Sequence, residues 1–318
     1  RGQVWGVRLK SHKMFLKSYN DIIAIENILA AWQEFLPGKR HKKDVIMFEI
    51  TLAENIALLH ADLQNKTYQH GSYTAFNISD PKPRNIHKAT VRDRLLHHII
   101  YRKLYPYFEA RFIYDSYSCR KNKGTHRALN QFRNFARQVS LNNTRTCFVL
   151  KCDIRKFFAS INQALLISIL KRHIKDTKIL SLIKKVISSF HTVMPGIGLP
   201  LGNLTSQLLV NVYMHEFDMY VKQELRVKHY IRYADDFVIF SENKEYLNDM
   251  LSHIENFLKQ KLHLVLHSDK VYVKTYASGV DFLGWVHFPY HRQIRTSTKR
   301  KILKNTRHFP QPQTINSY

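Results

Sequence analysis

No segment of this chain runs through 18 or more apolar residues without interruption, so a membrane-spanning helix is not expected. No short amphipathic helix concentrates the basic residues, which argues against a membrane-surface anchor. Cysteine is scarce. Cys119, Cys147 and Cys152 form neither a disulfide framework nor the CxxC spacing of a metal site, and are expected to be reduced core residues of a cytoplasmic protein. Internal repeats, low-complexity tracts and a signal peptide are also missing. The chain opens with Arg rather than Met, so its true start is expected to lie upstream. The largest deficit is in acid: 24 Asp and Glu stand against 50 Lys and Arg, a net charge of +26 and a pI near 10. So large an excess predicts a polyanionic partner, and nucleic acid is the usual one. The basic residues are spread from "PGKRHKKD" (37–44) to "TSTKRKILKN" (296–305), which suits a long groove better than a tail.

What is present is an ordinary apolar fraction, 44% of 318 residues, enough for a large core and two or three subdomains. Residues 20–36 and 50–64 carry helical periodicity, with Ile22, Ile25, Leu29 and Trp32 on one face of the first. Residues 73–89 read as two strands around a Pro-rich basic turn, followed by a helix over about 92–109. An apolar strand is expected over 146–154 and two helical pieces over 162–190. A Gly/Pro loop spans 194–203, and a long helix with Leu204, Leu208, Val212 and Phe217 on its stripe spans 204–225. A hairpin at 229–241, a helix at 244–261 and a strand at 263–275 complete a β-α-β-β-α-β order, the split βαβ arrangement.

In so basic a chain the few acids are informative. "HYIRYADDFVIF" (229–240) sets Asp235 and Asp236 between two apolar, aromatic strands, where a plain hairpin turn would also accept Asp. Asp153 ends the strand "TCFVLKCD" and could equally cap the helix after it. In a split βαβ sheet, however, the first strand neighbours the hairpin, so Asp153 and Asp235 meet although they stand 82 positions apart. Converging carboxylates repel unless a cation sits among them. Oxygen ligands of this kind suit Mg²⁺, with Mn²⁺ as a substitute. Two such ions, about 3.5–4 Å apart, stabilise the attacking and leaving oxygens of an in-line displacement at phosphate.

"LKCDIRKFFASI", "GLPLGNLTSQLLVNVY", "YADD" and "VDFLGW", in that order, resemble a reverse transcriptase over roughly residues 75–290. "LGNLTSQ" carries Leu201 where group II intron maturases usually have Gln, and Gln207 where they usually have Pro. Together with "SYSCRKNKGTHRAL" (116–129) and "DPKPRNI" (80–86), that variant is similar to the reverse transcriptases of diversity-generating retroelements, within the group II intron-like superfamily. The resemblance implies an α+β right-hand polymerase with fingers, a split βαβ (ferredoxin-like) palm and a partial helical thumb. Its expected layout is an N-terminal region and fingers over 1–145, a palm over 146–288 with a helical insertion near 162–200, and the start of a thumb over 289–318. Only about 30 residues follow Trp285, so the natural protein is expected to run further.

The resemblance also assigns roles. Asp153 and Asp235 would bridge the metals with the Ile154 carbonyl as a further ligand, and Asp236 would be a weaker third acid or a hairpin former. Phe158 matches the ribose gate that favours dNTPs, although a core phenylalanine beside Phe157 is the plainer reading. Lys82 and Arg84 match the triphosphate-binding finger turn, Arg120 a template or phosphate contact, and Gly284 a close approach to the primer backbone. Leu201, Gly202 and Gln207 flank the incoming nucleotide, and Lys270 matches a lysine able to protonate leaving pyrophosphate. The implied partners are a template RNA, a primer or cDNA, dNTPs and a small basic accessory protein, with no membrane. Two other readings stay open: a reverse transcriptase of another retroelement or a phage-defence system, and a catalytically dead nucleic-acid-binding relative.

Overall fold

The computed structural model describes residues 14–79 and 83–308. The N-terminal helices are α1 (Tyr19–Ile23), α2 (Ile25–Phe35), α3 (Lys43–Ile50) and α4 (Leu52–Asn65). Ser18 caps α1 in a capping box with Asp21, and the helix expected over 20–36 breaks at Ala24, whose ψ of 137° is extended. Periodicity does not announce α3, because it turns only Val45 and Phe48 to the core while Ile46, Met47 and Ile50 point outward. Strands β1 (Thr74–Ile78) and β2 (Arg84–Lys88) form the expected basic hairpin. Helix α5 (Val91–Glu109) begins at a Thr90 cap and packs against α2. Helix α6 (Thr125–Val139) follows, burying Leu129, Phe132 and Phe135.

The central unit comprises β3 (Phe148–Asp153), α7 (Phe157–Ser160), α8 (Gln163–His173), α9 (Thr177–Ser188) and α10 (Leu204–Met219), which a single π-helical turn extends to Glu224. Then come β4 (Tyr230–Tyr233), β5 (Asp236–Ser241), α11 (Lys244–Leu262) and β6 (Tyr272–Thr275). The strands are antiparallel in the order β4-β5-β3-β6, the split βαβ topology. Side chains alternate across this sheet with a period of two. Leu150, Cys152, Phe237 and Ile239 enter the core shared with α10 and α11, while Val149, Val238 and Phe240 meet Phe132 and Phe135 of α6 in a second core. The strand expected over 263–275 is regular only at 272–275; Leu266 instead bridges Ile154, and Lys270 lies in a 3-10 turn. Cys147 and Cys152 are buried as expected, but Cys119 is exposed.

A three-stranded sheet of β7 (Val280–Phe282), β8 (Trp285–His287) and β9 (Arg292–Ile294) closes over the second core, and α12 (Thr296–His308) leaves from it. No helix among the described residues is long and apolar enough to cross a membrane.

Candidate active site

The last residue of β3, Asp153, is the register partner of the first residue of β5, Asp236. Opposed residues in an antiparallel pair share a face, so the two carboxylates leave the sheet on the same side. The Ile154 amide donates to the Asp235 carbonyl at 3.1 Å, which ties the hairpin turn to the end of β3. Ala234 turns the chain through the left-handed region at φ +57°, unfavourable for a residue with a Cβ. A buried arginine supports that turn from beneath. Arg232 donates to the Ala234 carbonyl and to Asn211 Oδ1, each at 3.2 Å, and forms a fork to Asp218 at 2.7 and 2.6 Å. Asp218 also accepts from the Tyr230 hydroxyl at 2.8 Å, so both charges are hydrogen-bonded although neither reaches solvent.

The acids are electrostatically crowded. Burial, and then the neighbouring Asp153 charge, raise the Asp235 pKa above the ordinary carboxylate range. Burial pushes Asp236 up to about 6, against the lowering pull of Lys151 and with further upward pressure from Asp235 and Asp153. Lysine ammonium groups answer that crowding: Lys151 Nζ lies 2.5 Å from Asp236 Oδ1, and Lys270 Nζ lies 2.9 Å from Asp153 Oδ1. With these pairs in place, no group of three His, Cys, Asp or Glu side chains among the described residues is gathered as a metal cage. The donor chemistry nevertheless fits a hard divalent cation: the ligands are all oxygens, Asp153 and Asp236 leave the sheet on one side, and the crowded Asp235 and Asp236 favour added positive charge. Lys270 is the more replaceable stand-in, since its side chain is 44% exposed whereas that of Lys151 is 7% exposed.

Other residues singled out by the sequence fall in different places. Lys82 lies outside the described residues. Arg84 opens β2 with an exposed side chain. Phe157 is the inward member of its pair and Phe158 the half-buried one, the two rings meeting edge to face at 5.6 Å. The Leu201 carbonyl accepts from the His87 amide of β2 at 3.1 Å, so this loop is docked on the β1–β2 hairpin. Gly202 has φ +103°, and a Cβ there would stand 2.9 Å from Ile86 Cγ2, so strand packing by itself requires glycine. Gln207 lies half-buried in the first turn of α10. Gly284 forms the β7–β8 turn at φ +86° with open space around it.

Arg120 is a correction. Its guanidinium reaches both Glu109 oxygens, the Ile113 and Ser116 carbonyls and Ser116 Oγ, and its side chain is 4% exposed. With its guanidinium turned inward onto Glu109, Ile113 and Ser116, it fastens the loop after α5 rather than facing a template. Lys151 and Arg232 were missed. The signal for each is a charge inside an otherwise apolar strand, "FVLKCD" and "HYIRY", where burial demands a partner.

Residues 78–287 match the family model described as reverse transcriptase (RNA-dependent DNA polymerase). The chain is 24% identical to protein YkfC of Escherichia coli (strain K12) over 310 residues, covering 85% of this chain and 79% of that protein. It is 21% identical to the putative COX1/OXI3 intron 2 protein of Saccharomyces cerevisiae over 282 residues, covering 68% of this chain but 30% of the yeast protein. Among solved structures, apo telomerase of Candida tropicalis aligns over 72% of this chain and 55% of its own, with TM-score 0.53 and 13% identity. Telomerase of Candida albicans, in complex with a fragment of telomeric RNA, aligns over 77% and 51%, with TM-score 0.53 and 12% identity. The chain therefore spans about half the length of each telomerase chain. At this identity the likeness is one of fold, and it agrees with the mixed, antiparallel-sheet architecture of a right-hand polymerase.

Proposed function

The chain belongs to the reverse transcriptase family, and from that membership we propose that it is an active RNA-directed DNA polymerase making cDNA from an RNA template. The observation that carries the reading is the convergence of Asp153, Asp235 and Asp236 at one end of the β3–β5 pair, with Asp235 and Asp236 raised in pKa by burial and by their acidic neighbours.

Asp153 and Asp235, with the Ile154 carbonyl, would hold divalent ions, Mg²⁺ or in its place Mn²⁺. Such ions, when bound, supply charge neutralisation at the attacking 3′ oxygen and the leaving phosphate. The chain's own residues do the remainder. Asp236, opposite Asp153, has one oxygen committed to Lys151 and serves as the third acid of the cluster. Lys270 bonds Asp153 in the resting site, on a partly exposed side chain, and on release can donate its proton to pyrophosphate. Phe158 presents the ring that excludes a 2′ hydroxyl, a role supported by Phe157 filling the inward position. Lys82 and Arg84 bring positive charge to the triphosphate from the finger hairpin, while Gly202 in the loop before α10 and Gln207 in that helix's first turn stand beside the nucleotide. Gly284 lets the primer backbone come close.

The diversity-generating subtype is part of this proposal. It rests on Leu201 and Gln207 in "LGNLTSQ". An aliphatic Leu201 has no polar atom with which to test base-pair geometry, which would favour misincorporation opposite adenine. The layout of fingers over 1–145, palm over 146–288 and thumb from 289, and the use of a small basic accessory protein, belong to the same reading.

Primer extension on a defined RNA tests it. The expected result is divalent-ion-dependent cDNA synthesis from dNTPs but not NTPs, lost at least about a hundredfold in Asp235→Asn. Sequencing that cDNA should show errors concentrated at template adenines, reduced in Leu201→Gln. Absence of extension by the chain with its RNA and accessory protein would leave a binding protein; extension with no adenine bias would point to another retroelement.

A further inference from the structure

A second polar pocket opens at the far end of the β7–β8–β9 sheet, between the outer face of α6 and the turn joining β8 to β9. Its cavity volume is about 220 Å³, room for part of a nucleotide, and it opens to solvent at its mouth. Arg133 and Asn130 line it from α6, and His287, Phe288, Tyr290 and Arg292 line it from the sheet. The Gly284 turn and the start of α12 lie at the opposite end of the same sheet, with Arg295 donating to the Gly284 carbonyl, so the pocket faces away from the proposed primer contact.

Three independent features point to a ligand. The first is charge. Arg127, Arg133 and Arg137 occupy the exposed face of α6, and there is no Asp or Glu from Ser116 to Cys152 or from Val286 to Tyr318. The second is aromatic surface. Tyr290 is 81% exposed, and His291 stacks on Phe288 with centroids 4.7 Å apart, so flat faces are offered to solvent beside two arginines. The third is an orphaned acceptor. His287, 3% exposed and packed on Phe132, bonds the Phe282 backbone through one ring nitrogen while its buried Nε2 has no partner. Burial keeps this ring neutral, its pKa pushed down to about 4, so the nitrogen not bonded to the Phe282 carbonyl is an acceptor awaiting a donor.

We propose that this pocket is a second RNA-binding site, which takes an unpaired nucleotide of an RNA strand outside the polymerising cleft. The base lies against Tyr290 and the Phe288–His291 pair, the flanking phosphates meet Arg133 and Arg292, and a ribose hydroxyl supplies the donor that His287 lacks. Stacking of this kind requires a base free of its helix, which excludes duplex, and the 2′ hydroxyl separates RNA from DNA. The site goes beyond the polymerase reading, because it holds RNA whether or not the acids at the sheet end perform chemistry. Its use would be to anchor a single-stranded part of a structured RNA while another part is copied.

The test is binding of a 12-nucleotide single-stranded RNA carrying 4-thiouridine, with a saturating primer–template duplex filling the cleft. Crosslinks are expected in the peptides around Tyr276–Arg292 and α6. Fluorescence anisotropy should show the RNA held at least fivefold tighter than DNA of the same sequence. The triple variant Arg133→Ala, Tyr290→Ala, Arg292→Ala should weaken RNA binding at least tenfold and flatten its log–log salt slope by about 1.4, two phosphate contacts being lost. All three side chains are exposed, so the fold tolerates the change, which circular dichroism verifies. Crosslinks confined to the cleft, or triple-variant affinity within twofold of wild type, would overturn the site; equal affinity for DNA would overturn the RNA assignment.

Discussion

Asp236 faces Asp153 across the strand pair with its carboxyl held by Lys151, and the consequence can be read as a pH dependence. Its folded-state pKa is raised to about 6 from an ordinary value near 3.8, so the folded protein binds that proton more tightly than the unfolded chain. The metal-free protein should therefore lose stability as pH rises from about 4 to about 6, by roughly 1–3 kcal/mol. Added Mg²⁺ should flatten that slope in thermal unfolding; a stability curve that rises over the same interval would contradict the crowding of the acids. Arg232 gives a second prediction. Arg232→Met strands the buried Asp218 and should cost about 3–5 kcal/mol. Adding Asp218→Leu should return most of the stability but not primer extension, since the Ala234 carbonyl has still lost its donor. Ala234→Gly in that double variant, which removes the left-handed penalty, should restore part of kcat with little change in the KM for dNTP. The placing of Asp153 at a strand end and of Asp235 at the hairpin tip, and the need for one of Phe157 and Phe158 to face inward, were legible in the sequence, because strand ends and pair positions are local. The partners of Lys151 and Arg232 were not, because Asp236 and Asp218 reach them only through the sheet and α10.

At the scale of elements, the β1–β2 hairpin and the loop before α10 behave as one unit through His87, Leu201 and Gly202. Gly202→Ala must displace Ile86 and accept φ +103°, a strain of about 1–3 kcal/mol. The expected outcome is a raised KM for dNTP with near-normal RNA affinity, measured by steady-state extension. Arg120 makes the opposite case. Arg120→Ala should lower the unfolding free energy by about 3 kcal/mol, because Glu109 and two carbonyls lose their donor, while leaving the salt slope of RNA binding unchanged. A drop of about one in that slope would return Arg120 to the template. Periodicity located α4, α5, α8, α9, α10 and α11 to within a few residues, since each buries an apolar stripe. It failed for α3, most of whose apolar residues stay outside while only Val45 and Phe48 face the core, and for 263–275, where polar Ser268 and Asp269 turn the chain before β6 begins.

Across the whole molecule, a net charge of +26 should make nucleic-acid affinity steeply dependent on salt. If six to ten phosphates are neutralised, binding weakens by about 10³–10⁵ between 50 and 200 mM salt, which filter binding on an RNA–DNA hybrid would measure. Composition alone determined that excess, and element order alone determined the split βαβ sheet, because the alternation of strand and helix periods leaves few topologies open. The sequence likewise set which acids stand at strand ends. Only the tertiary structure decided that Arg120 turns inward, that Lys270 and Lys151 sit on the acids, and that strand β2 leaves room only for glycine at position 202. Those outcomes depend on which side chains the folded chain brings together from distant positions, and a buried charge takes whatever partner the packing supplies.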